Sequence, residues 1–208
     1  GATYVEVAKL TAADGAADDK FGNSVAIDGD TLLIGAKGEQ AAYVFRTSDG
    51  GTTYDQVTRL SVGNNFDRWG SSDNFAQSVA IEGDIIAIGA NGLDACASDR
   101  CRDLGRVFIF RSSDGGATYP YQSYLNPTGA DGQTSWNNFG NALAIQGDLL
   151  VIGSFADSGA TGTLAGAALI WRTTNGGATY GQVAKLTSSD LANGDSFGIS
   201  VAIDGTTV

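Results

Sequence analysis

The chain has 208 residues, enough for one domain with a sizeable core, and a formal net charge of -11. That charge argues against nucleic acid or an anionic membrane surface as a partner, and no apolar run approaches the length of a membrane-spanning helix. With 30 Gly and 2 Pro the composition suits strands joined by tight turns, and with no His the chain cannot build a Ser-His-Asp or Cys-His catalytic site by itself.

Nothing at the start has the pattern of a signal peptide. With Gly1 first and no Met, the chain is expected to be processed or to be part of a longer polypeptide. Residues 1–20 are expected to hold the end of one repeat unit and the connection out of it. The opening Gly1–Tyr4 (GATY) matches the tail of a block that recurs as TSDGGTTY from Thr47, SSDGGATY from Ser112 and TTNGGATY from Thr173. A second block, FGNSVAIDGD from Phe21, recurs as FAQSVAIEGD from Phe75, FGNALAIQGD from Phe139 and FGISVAIDGT from Phe197. Self-similarity at this period marks a propeller or a solenoid.

The first complete unit, residues 21–74, predicts four strands near Asn23–Ile27, Thr31–Ala36, Ala41–Arg46 and Tyr54–Leu60. SVAI and TLLIGA are short, apolar and β-branched, as buried inner strands are, whereas YDQVTRL alternates like an outer strand with one wet face. Asp28-Gly29 reads as a two-residue turn with positive φ. Units 75–138 and 139–196 repeat the plan, and residues 197–208 open another. No run sustains a helical period. The expected fold is therefore an all-β propeller of four-stranded antiparallel blades: three complete blades with partial ones at each end, in a single domain that belongs to a larger ring of about seven.

Antiparallel order puts the first-to-second and third-to-fourth connections on one face, where they are short and nearly constant. The second-to-third and blade-to-blade connections share the other face and carry the length variation, which is where binding function concentrates. Candidate binding residues on that face are Arg68, Trp69, Asp94, Arg100, Arg102 and Trp136; the alternative for the two Trp rings is packing between blades. Cys96 and Cys101, in CASDRC, read as a disulfide stapling one loop in an oxidising compartment, with free thiols as the alternative. A structural zinc would need about four ligands, which two Cys and no His do not supply. Asp19, Asp73 and Asp195 each stand two residues before the repeated Phe, with Asn137 in the same slot, and this exchange favours a turn cap over a metal ligand. Trp171 aligns with Phe45 and Phe110 and is expected in the core. The repeated Arg46, Arg111 and Arg172 are expected to be structural.

Phe21-Gly22, Phe75, Phe139-Gly140 and Phe197-Gly198, each followed by an SVAI-like strand and most by an IGA-like one, resemble the FG-GAP repeats of integrin α-subunit propellers. The Gly-Gly blocks are similar to the Asp-box hairpin, with Asp49, Asp114 and Asn175 in the acidic slot. In the sialidases and other propellers that carry it, the box is a structural hairpin away from the active site. Integrin-type repeats carry a calcium loop between the first two strands. Here that loop has shrunk to a two-residue turn too small to wrap calcium, so no metal or other cofactor is carried over. The resemblance implies a non-catalytic, adhesion-type binding module, secreted or at a cell surface, with a protein or glycan ligand. A structural subunit contacting its neighbours in a larger assembly is the alternative. A sialidase-like glycosidase ranks below both, because hydrolysis needs two facing carboxylates and the chain has only Glu6, Glu39 and Glu82 beside Asp residues that mostly occupy turn slots.

Overall fold

The computed structural model describes residues 5–62, 73–94, 103–127, 137–157, 164–190, 192–205 and 207–208. Among them the regular structure is all strand, in chain order β1 (Phe21–Asp28), β2 (Thr31–Ala36), β3 (Ala41–Arg46), β4 (Asp55–Leu60), β5 (Phe75–Glu82), β6 (Ile85–Ala90), β7 (Arg106–Arg111), β8 (Tyr121–Leu125), β9 (Phe139–Gln146), β10 (Leu149–Ser154), β11 (Ala167–Arg172) and β12 (Gly181–Leu186). They form three antiparallel sheets, each with its four strands in sequential order: β1–β4, β5–β8 and β9–β12. These are three consecutive blades of a β-propeller. Residues 5–12, which repeat the sequence of β12 and its flank, form no strand. Beyond Phe197 the described residues make only isolated bridges.

The turn between the first two strands sits one residue later than the sequence suggests. Asp28 still pairs with Thr31, so the loop is Gly29-Asp30. Gly29, Gly83 and Gly147 take φ values of 53°, 55° and 60°, the left-handed region that glycine enters without penalty. The shift matters because it frees the side chain ahead of each Gly to reach across to the following blade.

Within a blade, alternate residues serve opposite neighbours. In blade 1, Leu33 and Val44 pack with Val79, Ile81 and Phe108 of blade 2 in one buried cluster, while Ile34, Tyr43 and Phe45 lie on the opposite side. Blade 2 repeats this against blade 3: Ala87, Val107 and Ile109 cluster with Leu150, Ile152 and Trp171. Trp171 is in the core as expected, its ring 6.2 Å from that of Phe139.

One expectation needs correction. The inner strand of blade 1 is not buried: Val25 and Ile27 are 65% and 63% exposed, whereas their counterparts Val79 and Ile81 in blade 2 are 7% and 6% exposed. The pattern is the same in both strands. The difference is that blade 1 covers this side of blade 2, and among the described residues no sheet covers this side of blade 1.

Three repeated contacts join each blade to the next. The first is a close approach at the Gly of the IGA segment: a β-carbon on Gly35 would lie 2.6 Å from the Ala76 carbonyl oxygen, and Gly89 and Gly153 face Gly140 and Gly198 in the same way. The second is a side-chain hydrogen bond to that carbonyl. Asn23 Nδ2 donates to Ala76 O at 2.8 Å and Ser78 Oγ donates to Gly140 O at 2.7 Å. The third is a clasp at the shifted turn. Asp28 accepts the Gly83 N–H at 2.5 Å, Glu82 accepts that of Gly147 at 2.7 Å, and Gln146 accepts that of Gly205 at 2.5 Å. The Phe-Gly motif produces the carbonyl used in the first two contacts. Residues on both sides of each Phe have positive φ, as at Lys20 and Gly22 (56° and 86°), which bulges the strand start toward the preceding blade.

Candidate binding face

The two ends of the blades are built differently. At the tight-turn end, the connection from third to fourth strand is fixed by one hydrogen-bond set. Thr47 Oγ1 donates to Asp49 Oδ1 at 2.8 Å and accepts the Gly51 N–H at 2.8 Å. Asp49 also accepts the Thr53 N–H at 2.9 Å and the Thr53 hydroxyl at 2.8 Å. Ser112, Asp114 and Thr118 repeat this in blade 2, and Thr173, Asn175 and Thr179 keep it in blade 3 except that there Asn175 Nδ2 donates to Thr179 Oγ1 at 2.8 Å. The bonds to Thr53, backbone first, hold the Asp49 carboxyl down at about 2 from its ordinary 3.8, and those to Thr118 do the same for Asp114. Arg46 crosses to the next blade and donates to Gly115 O at 2.7 Å, whereas Arg172 pairs with Asp148 of its own blade at 3.2 Å. The repeated Thr/Ser–Asp/Asn–Thr set is thus satisfied within its own turn, by side chains and backbone N–H groups of the same hairpin.

The opposite end holds the variable connections. Between second and third strands they run over residues 37–40, 91–105 and 155–166. In blade 1 the Tyr43 hydroxyl lies 2.8 Å from Asp14 Oδ1 and 2.5 Å from Glu39 Oε2, so it donates to one carboxylate at a time. Arg59 Nε donates to Glu39 Oε1 at 2.9 Å and lies 3.4 Å from Asp14. Burial, then the two carboxylates, raise the Tyr43 phenol well above its ordinary value. Blade 3 keeps a reduced version, with Lys185 Nζ donating to Asp157 Oδ1 at 2.7 Å.

Blade 2 breaks the pattern. Leu93 replaces the loop carboxylate and is buried in the core cluster. Tyr124 stands where Arg59 and Lys185 stand in the neighbouring blades, and Arg106 stands where those blades have Ala41 and Ala167. The Arg106 guanidinium carbon lies 4.2 Å from the centre of the Tyr124 ring, and its Nε donates to Asn126 Oδ1 at 2.9 Å. Burial lowers the Arg106 pKa, with Tyr124 and Tyr121 opposing. These residues were not singled out in the sequence reading. The signal was there: aligning the third and fourth strands of the three units shows Arg among alanines and Tyr among bases.

Of the residues proposed from sequence, Arg68, Trp69, Arg100, Arg102, Trp136, Cys96 and Cys101 lie outside the described residues. Asp94 is exposed and caps its own loop, accepting the Asp103 N–H at 3.0 Å. Asp19 and Asp195 accept the N–H groups of Ala16 and Ala192 at 2.5 and 2.7 Å, as turn caps do. Among the described residues no group of three or more His, Cys, Asp or Glu is placed to hold a metal ion.

The FG-GAP repeat family model matches residues 4–54, 69–110 and 180–208. The chain belongs to the FG-GAP repeat family. Its fold is similar to the crystal structure of Sqt1 from Saccharomyces cerevisiae, with a TM-score of 0.52 at 8% identity over 85% of this chain. The match spans 38% of the Sqt1 chain and, at that identity, shows the fold alone. No curated protein sequence matches the FG-GAP chain.

Proposed function

We propose that this FG-GAP propeller is a non-catalytic binding module that works outside the cell and takes a protein or glycan ligand on its variable-loop face. The observation that carries the reading is the asymmetry between the two ends of the blades. Turn-end polar groups repeat one self-directed hydrogen-bond set in all three blades, whereas the loop end changes length and chemistry from blade to blade. A surface that diverges while its scaffold stays constant is where recognition evolves. The Cys96–Cys101 spacing supports an extracellular setting, and no described helix is long and apolar enough to cross a membrane. The test is an array of glycans and cell-surface ectodomains probed with the intact protein. A ligand whose binding is lost when residues 91–105 are replaced by the short KGEQ connection supports the reading. An array with no ligand counts against it.

A second reading, a structural subunit of a larger assembly, is favoured by one observation: the exposed Val25 and Ile27 strip, whose counterparts are buried in blade 2. Light scattering that gives a monomer at all concentrations would set it aside.

A further inference from the structure

Tyr121 and Tyr124 are 44% and 43% exposed, yet they belong to the middle blade, which is covered on both sides. Other large apolar side chains exposed to this degree among the described residues lie at the two ends of the array, such as Val25 and Ile27 on blade 1 and Val183 and Ile199 on or beyond blade 3. For those, a missing neighbouring sheet is a sufficient explanation. For the tyrosines it is not.

Both rings sit on the side of β8 that pairs with Phe108 and Phe110, and they are held from beneath. The Tyr121 ring centre is 6.0 Å from Phe110 and 6.4 Å from Phe108, and those two lie 6.5 and 5.5 Å from the buried Phe75. Tyr124 carries the Arg106 guanidinium on its face. The aromatic surface is therefore pre-organised, and a ligand laid on it would cost little side-chain entropy. Blades 1 and 3 have Gln56 and Gln182 where Tyr121 stands, and an ion-paired base where Tyr124 stands. The departures at Arg106, Tyr121 and Tyr124 lie along the outer β7–β8 rim of blade 2, Arg106 and Tyr124 toward the loop end and Tyr121 toward the tight-turn end, while Leu93 is buried in the core beneath.

We propose that this rim is a saccharide-binding platform for a neutral glycan; the proposal rests on the binding-module reading and names its ligand class and site. Aromatic rings have an electron-rich face that attracts the polarised C–H bonds on the flat side of a pyranose, and phenol hydroxyls and Asn126 can meet the sugar's own hydroxyls. Two half-exposed rings on one outer strand match one or two sugar units better than a protein patch, which needs about 800 Å² per partner. A net charge of -11 disfavours polyanionic glycans and leaves neutral ones.

The experiment is a titration of the intact protein with neutral tetrasaccharides (gluco-, xylo-, manno- and N-acetylglucosamine series), followed by saturation-transfer NMR and calorimetry. At least one series is expected to bind. Tyr121→Ala and Tyr124→Ala should each weaken it by about tenfold or more, and Tyr124→Phe, which keeps the ring, should retain most of the affinity. Equal thermal midpoints among the variants would exclude misfolding. If an alanine variant does not fold, Tyr124→Phe against Tyr124→Ser decides. Binding untouched by both alanine changes overturns the platform while leaving the binding-module reading intact. So does a glycan-negative protein that binds an ectodomain in the array. A protein that binds neither overturns both.

Discussion

Gly35 has no room for a side chain. Its β-carbon would lie 2.6 Å from a carbonyl oxygen of the next blade and 2.7 Å from Ser24 Oγ. Gly35→Ala is expected to cost about 1–3 kcal/mol through forced separation of two blades, read as a lower urea midpoint at unchanged slope. Asp49 and Asp114 make a pH-dependent contribution. Their folded-state pKa values, about 2, lie below the ordinary 3.8, so their stabilisation is complete above the ordinary value and is lost as pH falls through about 2. Asp49→Asn with Asp114→Asn, the residue that blade 3 already carries as Asn175, should flatten the loss of stability on acidification. An unchanged acid profile would refute the assignment. Tyr180 is a different case. Its hydroxyl is buried without a hydrogen-bond partner among the described residues, and burial, followed by Glu82 and Asp148, pushes its pKa up to about 12. Tyr180→Phe should therefore be neutral or stabilising by about 1 kcal/mol in thermal unfolding.

At the scale of the strand and its turn, the clasp at the inner hairpin is the main finding. Glu82 accepts a backbone N–H from blade 3, so Glu82→Ala is expected to cost about 1 kcal/mol, while Glu82→Gln should cost little, since Gln146 makes the same contact one blade on. A Gln variant as damaged as the Ala variant would mean that packing carries the effect. The strands themselves were legible in the sequence: Thr31–Ala36 and Ala41–Arg46 agree with it to the residue, because apolar β-branched runs between glycine turns allow little else. The clasp was not legible. Gln lacks the charge that Asp and Glu carry, and all three stand beside a Gly that reads as their turn partner, so assigning them to the following blade requires the one-residue shift that only the three-dimensional register shows. The Phe-Gly motif was recognised as a repeat, but its purpose, bulging a carbonyl toward the preceding blade, depends on φ angles that sequence does not record.

For the whole molecule, four in-phase copies of one block make the propeller evident in the sequence, since each blade buries its faces only against others like it. The same logic hid the divergent rim. A reading that searches for what repeats passes over Arg106, Tyr121 and Tyr124 because they do not, and they become a cluster only when the register Phe108↔Tyr124 and Phe110↔Tyr121 brings two strands together.

The uneven cover of the three sheets also ranks their resistance to opening. Blade 2 is locked by glycine contacts, carbonyl bonds and clasps on both flanks, whereas blade 1 has them on its trailing flank only. Amide protons of β6 and β7 should consequently exchange with deuterium most slowly, and those of β1 much sooner, although the two inner hairpins are similar in sequence. Protection in this protein is set by neighbours rather than by composition, so a ligand that bridges blade 1 to anything before it would slow exchange at Val25 and Ile27 without touching the middle of the array.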